Sequence, residues 1–96
     1  MTVETRWEQA IRDAITSLEH TRGDWVALVD LRPILNHWGT SRAAQDRHLK
    51  RLSLEGKVHL VPESNRKALR EEDHDASLRL GGDDNHLIAW NYHRHP

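Results

Sequence analysis

The sequence predicts an α+β fold with three helices and a small antiparallel sheet. Two segments repeat apolar residues at helical spacing, one near the N-terminus and one in the middle of the chain. Three short apolar segments adjoin glycine, proline or other turn-forming residues, which is typical of strands. The chain has 96 residues, a length that fits one domain. We therefore predict a single domain over residues 1–96.

The first helix is predicted from Val3 to about His20. Thr2 is a suitable N-cap, and Glu4 places a negative charge in the first turn. Apolar residues recur on one side at helical spacing: Val3, Trp7, Ile11, Ala14, Ile15 and Leu18. This spacing predicts an amphipathic helix that buries one face.

A short strand and a short helix follow a break at residues 21–24. The apolar segment Trp25–Val29 predicts the strand. Asp30 then fits the N-cap of a helix over Leu31–Leu35, in which Pro33 falls in the first turn, where its missing N–H costs little. Residues 36–39 predict a turn before the next helix.

The third helix begins at Thr40 or Ser41, either of which is a suitable N-cap, and reaches about Glu55. Gly56 follows as its C-terminal stop. Three residues form the stripe that we expect to face inward: Gln45, Leu49 and Leu52.

The second half of the chain holds two strands and a long polar segment between them. Val58–Val61, closed by a proline, predicts the second strand, and His86–Trp90 predicts the last. Within the polar segment 63–85, Arg70–Leu80 predicts a short helix and residues 81–85 a turn. Asn91–Pro96 predicts a flexible polar tail. We expect the last strand to pair antiparallel with the second, and Trp25–Val29 to add as an edge strand.

Three features carry a resemblance to a known superfamily. They are the segment Asp30–Leu35, the Thr40–Ser41 cap, and the pattern L-x-x-L-x-x-x-G-x-V from Leu49 to Val58. Together they resemble a winged helix-turn-helix domain over about two-thirds of the chain, Val3–Val61. The resemblance implies a third helix that contacts DNA, and a wing, here residues 63–85.

The sequence departs from the winged-helix pattern in two ways. Gln45 occupies a position that is usually aliphatic, so we expect the third helix to be held less firmly. The segment 63–85 is much longer than an ordinary wing hairpin and is predicted to contain a helix. No specific family within the superfamily is identified.

The charge of the third helix predicts nucleic-acid binding. The formal net charge of the chain is −1, so any such binding must use a local basic patch. Between Arg42 and Arg51 the helix carries four cations against the single acid Asp46. At ~100° per residue, four residues are expected to point outward: Ala43, Arg47, Lys50 and Arg51. Arg42 lies nearer the core side, but in the first turn, where it can swing outward.

An exposed basic helix of this kind fits the major groove of B-DNA, which is ~12 Å wide. Thr40, Ser41 and Arg42 at its N-terminus would approach bases or phosphates. In the wing, Arg66 and Lys67 could reach the sugar–phosphate backbone. Acidic residues further along the wing repel phosphate: Glu71, Glu72, Asp73, Asp75, Asp83 and Asp84. For the basic helix, the alternative to DNA binding is a charged face that is only solvated. For the acidic part of the wing, the alternatives are a contact with another protein or a solvated cover over the sheet.

The composition and motifs exclude several function classes. The chain has no cysteine, which excludes thiol nucleophiles and cysteine-ligated metals. Its eight histidines are scattered, with only His93 and His95 close together, so we expect no metal site and no cofactor. Nucleophile, phosphate-loop and dinucleotide motifs are lacking, which predicts that the chain is not an enzyme.

The hydropathy of the chain predicts a cytoplasmic protein. No apolar run approaches the ~18 residues that cross a membrane, and the opening residues MTVETRWEQ lack the apolar core of a secretory signal.

Two functions are consistent with these observations. The first is sequence- or structure-selective binding of double-stranded DNA by a transcriptional regulator, working as a homodimer. Its dimer surface would be the apolar remainder of the first helix or the last strand. The second is a protein-interaction module within a larger assembly, favoured by the near-neutral charge, the acidic wing and Trp38. Trp38 either anchors a partner or packs under its turn.

Overall fold

The computed structural model describes residues 1–93, which form an α+β fold with a small antiparallel sheet. The helices are α1 (Val3–Leu18), α2 (Leu28–His37), α3 (Arg42–Leu54) and α4 (Glu71–Ala76), with a 3₁₀ turn at Arg66–Ala68. The strands are β1 (Val26–Ala27), β2 (Val58–Val61), β3 (Leu78–Leu80), β4 (Asp83–Asn85) and β5 (Leu87–Trp90).

The main sheet has the strand order β1-β5-β2, and both pairings are antiparallel. Ile88 lies opposite Val26 on one side and opposite Leu60 on the other. The predicted pairing of the last strand with residues 58–61, and the edge position of the first strand, are thereby confirmed. β3 and β4 form a separate two-stranded ribbon within the segment 63–85.

The core lies between the first three helices and one face of the sheet. The inward residues that we expected on α1 and α3 are buried except Val3, with Trp7 and Leu18 packed against the core as partly buried residues. The prediction for Val3 is wrong: it is 63% exposed in the first turn of α1. The largest fully buried apolar side chains are Ile11, Ile15, Leu28, Leu31, Leu35, Leu49, Leu52, Leu78, Ile88 and Val58. Burial of such aliphatic side chains is worth about 1.5–3 kcal/mol each.

The first strand is shorter and α2 is longer than the sequence predicts. β1 covers only two residues, and α2 begins at Leu28 with Ala27 as its N-cap, so the prediction of Asp30 as the N-cap is wrong. Leu28, Leu31 and Leu35 are all fully buried at helical spacing, and this shared burial favours an earlier start of the helix. The first-turn position of Asp30 suits the positive end of the helix dipole.

The predicted helix over Arg70–Leu80 ends at Ala76. The residues beyond it form β3, which pairs with β4 across Gly81 and Gly82. Both glycines have positive φ, 64° and 84°, a conformation that favours a tight hairpin turn and disfavours other residues. The alternation Leu78-Arg79-Leu80 has the period of a strand, and the prediction misread it as part of a helix.

Part of the predicted tail is hydrogen-bonded to the domain. The Asn91 backbone N–H donates to the Lys57 carbonyl at 2.9 Å, and its side-chain amide donates to the Gly56 carbonyl at 3.0 Å. The Tyr92 hydroxyl donates to the Glu19 carboxylate at 2.8 Å. The rest of the predicted tail, residues 94–96, lies outside the described residues, as does His95.

Candidate nucleic-acid interface

Two local features set the start of α3. Gly39 adopts a positive φ of 77°, which turns the chain after α2. The Ser41 hydroxyl then accepts a hydrogen bond from the Ala44 backbone N–H at 3.1 Å, so Ser41 is the N-cap. Leu49 and Leu52 anchor the helix in the core. Ser41 and Ala43 are exposed, and Thr40 is partly buried, with its hydroxyl donating to the Leu35 carbonyl.

A buried polar network holds α3 against α2. Gln45 has no exposed surface, and its side-chain amide donates to the Asn36 side-chain oxygen at 2.8 Å and to the Thr40 hydroxyl at 3.0 Å. Its side-chain oxygen accepts from Arg32 Nη1 at 3.1 Å. Since every polar group of the amide has a partner, Gln45 carries no unsatisfied burial penalty. The expectation that Gln45 weakens the attachment of α3 is therefore wrong.

Arg32 is a central member of this network that sequence reasoning missed. Its side chain is buried and forms an ion pair with Asp46 at 2.7 Å, while its Nε donates to the Ala76 carbonyl at 3.1 Å. Burial lowers the pKa of the guanidinium, and the hydrogen bond to Asp46 opposes that effect. Arg32 therefore ties α2 to α3 and to the end of α4.

Arg42 does not swing outward toward solvent. Its guanidinium contacts Asp46 at 3.1 Å and donates to the backbone carbonyls of Asp75 and Ser77, both at 2.7 Å. These three acceptors hold the side chain against the segment that follows α4. The prediction that Arg42 is free for DNA is corrected, because the chain's own carbonyls already occupy its donors.

Arg51 is likewise turned toward the protein. Its Nη1 contacts the Glu55 carboxylate at 3.1 Å, and its Nη2 donates to the Glu4 carbonyl of α1 at 3.2 Å. Its side chain is only partly exposed. The expectation that Arg51 projects into solvent is therefore wrong, because its place on the helix surface borders α1.

Arg47 and Lys50 remain as the cations of α3 without an ion pair among residues 1–93. Both are exposed. Ala43 lies four residues before Arg47 and Leu54 seven after it, so all four side chains share one face. Leu54 is 82% exposed. The outer face of α3 thus carries two free cations and small or apolar neighbours.

His48 separates this outer face from α1. Its ring stacks on the Trp7 ring with centroids 4.4 Å apart and planes 13° apart. The imidazole is buried, and burial, with the nearby cations Arg51 and Arg47, lowers its pKa. His48 therefore favours the neutral form and adds no charge to the basic face near neutral pH.

The segment 63–85 brings acidic residues to the first turn of α3. A cleft of about 320 Å³ between α2, α3 and α4 is lined by Arg32 and Arg42 on one side and by Glu72 and Asp75 on the other. Negative charge thus lies beside the N-terminus of α3, where a phosphate would otherwise be favoured.

Arg66 and Lys67 are exposed in the 3₁₀ turn at the opposite end of this segment. The hydrogen bonds and ion pairs found within residues 1–93 do not connect either side chain to α3. The structure therefore leaves these two cations apart from the acidic cleft.

Trp38 is half exposed, at 45%. It lines a shallow groove of about 360 Å³ with Arg6, Trp7, Ala10 and Thr40. The groove lies between α1 and the turn that precedes α3, so a partner surface could reach Trp38 there.

Among residues 1–93, no group of three or more histidine or carboxylate side chains could hold a metal ion. The helices of the same residues include none that is long and apolar enough to cross a bilayer.

Comparison with known proteins found no matching family model, no matching curated protein and no matching solved structure.

Proposed function

We propose that this chain is a winged helix-turn-helix domain that binds double-stranded DNA through α3. The order of elements supports the proposal: a helix, a short strand, two helices joined by a short turn, and then two strands that complete a β1-β5-β2 sheet. This is the arrangement that the resemblance implies, with the segment 63–85 in the position of the wing.

The observation that carries the proposal is the outer face of α3. Arg47 and Lys50 project from one face of a 13-residue helix whose other side is fixed in the core. An α-helix fits the major groove, where an arginine can donate two hydrogen bonds to guanine. In this arrangement Arg47 reads a base edge, Lys50 neutralises a phosphate, and Ser41 and Ala43 approach the backbone.

The charges of the neighbouring elements predict moderate affinity. Arg42 and Arg51 are already paired, and α4 adds carboxylates near the first turn of α3. One phosphate contact from Lys50, and two more if Arg66 and Lys67 reach the backbone, correspond to a slope of roughly −1 to −3 in log affinity against log salt.

The direct test measures fluorescence anisotropy of a labelled random duplex at two salt concentrations. The double variant Arg47→Ala, Lys50→Ala is expected to weaken binding at least about tenfold. The matched control is Arg70→Ala, Arg79→Ala, which removes the same charge from exposed side chains elsewhere and is expected to bind nearly as the wild type. Equal weakening by the two double variants would reject α3 as the contact surface.

A role as a transcriptional regulator in the cytoplasm is part of the same proposal.

A second candidate function, binding to another protein, is favoured by the half-exposed Trp38 and by the acidic cleft beside α3. Tryptophan is enriched at the energetic centres of protein interfaces. If the wild type shows no duplex binding even at low salt, this second function replaces the first.

A further inference from the structure

One flank of α1, beside its buried side, carries a regular stripe. Its members follow alternating steps of three and four residues, the spacing of a helix-pairing seam: Val3, Arg6, Ala10, Asp13 and Ser17. All are exposed except Ala10, which is partly buried. We call this set the α1 stripe. Because the adjacent side of α1 buries Ile11, Ala14 and Ile15, the helix is fixed against the core with the stripe along its flank.

Two opposite charges lie in the α1 stripe without an ionic partner. Arg6 forms no ion pair among residues 1–93, and Asp13 accepts only a neutral hydrogen bond from the Gln9 amide at 2.9 Å. The two residues are seven apart, about 10.5 Å along the helix axis. Ala10 lies between them, and its small side chain allows another helix to approach closely.

This charge pattern is complementary to itself in one orientation. If two copies of α1 lie antiparallel about a two-fold axis between Gln9 and Ala10, Arg6 of each copy lies opposite Asp13 of the other. Both ion pairs then form at once, as an isologous contact requires. A parallel arrangement would bring Arg6 against Arg6, which is unfavourable.

An apolar surface adjoins the α1 stripe. The groove of about 360 Å³ between α1 and Trp38 shares Arg6 and Ala10 with the stripe. Val3 is 63% exposed at the N-terminal end. A second copy lying along α1 would cover this groove and shield Trp38 from water, which adds a hydrophobic contribution to the charge pairing.

The sequence also suggested the last strand as a dimer surface, but this strand is not at an edge of the sheet. β5 lies between β1 and β2 and is paired on both sides. A second chain cannot extend the sheet at β5, and this leaves α1 as the better surface.

We propose that the chain forms an isologous dimer in which two α1 helices pack antiparallel and Arg6 of each copy pairs with Asp13 of the other. The dimer does not depend on DNA binding. Its interface is at the small end of the range for specific contacts, so the dimer dissociates reversibly at protein concentrations of roughly 10–500 μM.

The test is a charge exchange followed by sedimentation equilibrium. Arg6→Asp gives like negative charges across the interface, and Asp13→Arg gives like positive charges, so each variant alone is expected to sediment as an 11.2 kDa monomer. An equal mixture of the two variants restores both ion pairs between unlike chains, and its mass is expected to return to twice that value.

Two matched variants test whether association depends on the groove at Trp38 or on any exposed tryptophan. Trp38→Ala is expected to weaken association by about tenfold or more. Trp25→Ala, at a position with similar exposure but away from α1, is expected to leave association unchanged. Circular dichroism confirms that each variant is folded, which is expected because these side chains are exposed.

Three results would overturn the proposal. One is a wild type that remains monomeric across the whole concentration range. Another is a dimer that persists in both single charge variants. The third is a mixture that stays monomeric, since it would show that Arg6 and Asp13 do not meet.

Discussion

The flanks and the outer face of α3 use the same residue types for opposite purposes. On the flanks that border α1 and α4, Arg51 and Arg42 donate to carboxylates and carbonyls of the chain itself. On the outer face, Arg47 and Lys50 are exposed without an ion pair among residues 1–93. The comparison shows that only those cations of a basic helix that have no partner within the chain are free to contact a ligand.

The largest expected effect is on the buried side of α3, where Arg32 of α2 contacts Asp46 and Gln45. Arg32→Met keeps the apolar stem but leaves Asp46 and the Gln45 side-chain oxygen without their donor. We expect a loss of about 2–4 kcal/mol in the free energy of unfolding, measured by urea denaturation. Arg47→Met on the outer face serves as the control and is expected to change stability by less than about 0.5 kcal/mol. Equal losses of stability in the two variants would contradict the difference between the buried side and the outer face of α3.

A smaller effect is expected at Arg42, on the flank of α3 that borders α4. Arg42→Ala removes two hydrogen bonds to the segment after α4, and its partial exposure limits the loss to about 1 kcal/mol. The segment 63–85 is also expected to be cleaved faster in limited proteolysis, because it has lost a contact to α3. Lys50→Ala, which removes a cation of α3 without such contacts, should leave the cleavage rate unchanged. A cleavage rate that Arg42→Ala does not alter would show that Arg42 does not hold the segment.

The smallest expected effect is a pH dependence at His48. Burial and the nearby cations hold the pKa of this imidazole below its ordinary value of 6.5, so the unfolded chain binds a proton more readily than the folded one. Stability therefore falls as the pH decreases through 6.5 toward the folded-state pKa. His48→Phe preserves a ring against Trp7 but cannot be protonated, and its unfolding midpoint should depend less on pH.

The measurement for His48 is thermal unfolding at about pH 7.5 and about pH 5.5. His59→Gln, which removes an exposed histidine of β2, is the control and should keep the pH dependence of the wild type. If His48→Phe and the wild type lose stability equally over this range, His48 does not contribute to the pH dependence.

The sequence predicts elements whose signals are local. The apolar spacing of α1, the Ser41 cap of α3 and the positive φ of Gly56 after that helix all act within a few residues, and each is found in the structure. The pairing of the last strand also followed from the short apolar segments that could complete a sheet. The sequence did not predict the start of α2 or the β3–β4 ribbon. In both segments so few residues are involved that their apolar spacing fits a helix as well as a strand.

The partners of the charged residues could not be read from helical spacing. Arg42 finds the Asp75 carbonyl 33 residues away, and Arg51 finds the Glu4 carbonyl 47 residues away. A helical projection shows which direction a side chain faces but not which element lies there. Gln45 did signal the buried network, since a polar residue at an inward position requires a partner. A search of the neighbouring helix α2 for a hydrogen-bond donor to Gln45 could therefore have identified Arg32.

The central position of β5 has a consequence for how the chain acquires its structure. The strand that joins the two outer strands is the last one within residues 1–93, and it pairs with a strand about sixty residues earlier, at Val26. During synthesis β1 and β2 emerge with no central strand between them, so the sheet closes only after Trp90 has left the ribosome. We expect the helices to form first and the sheet to complete late, as a long-range closure whose slow step is the arrival of β5.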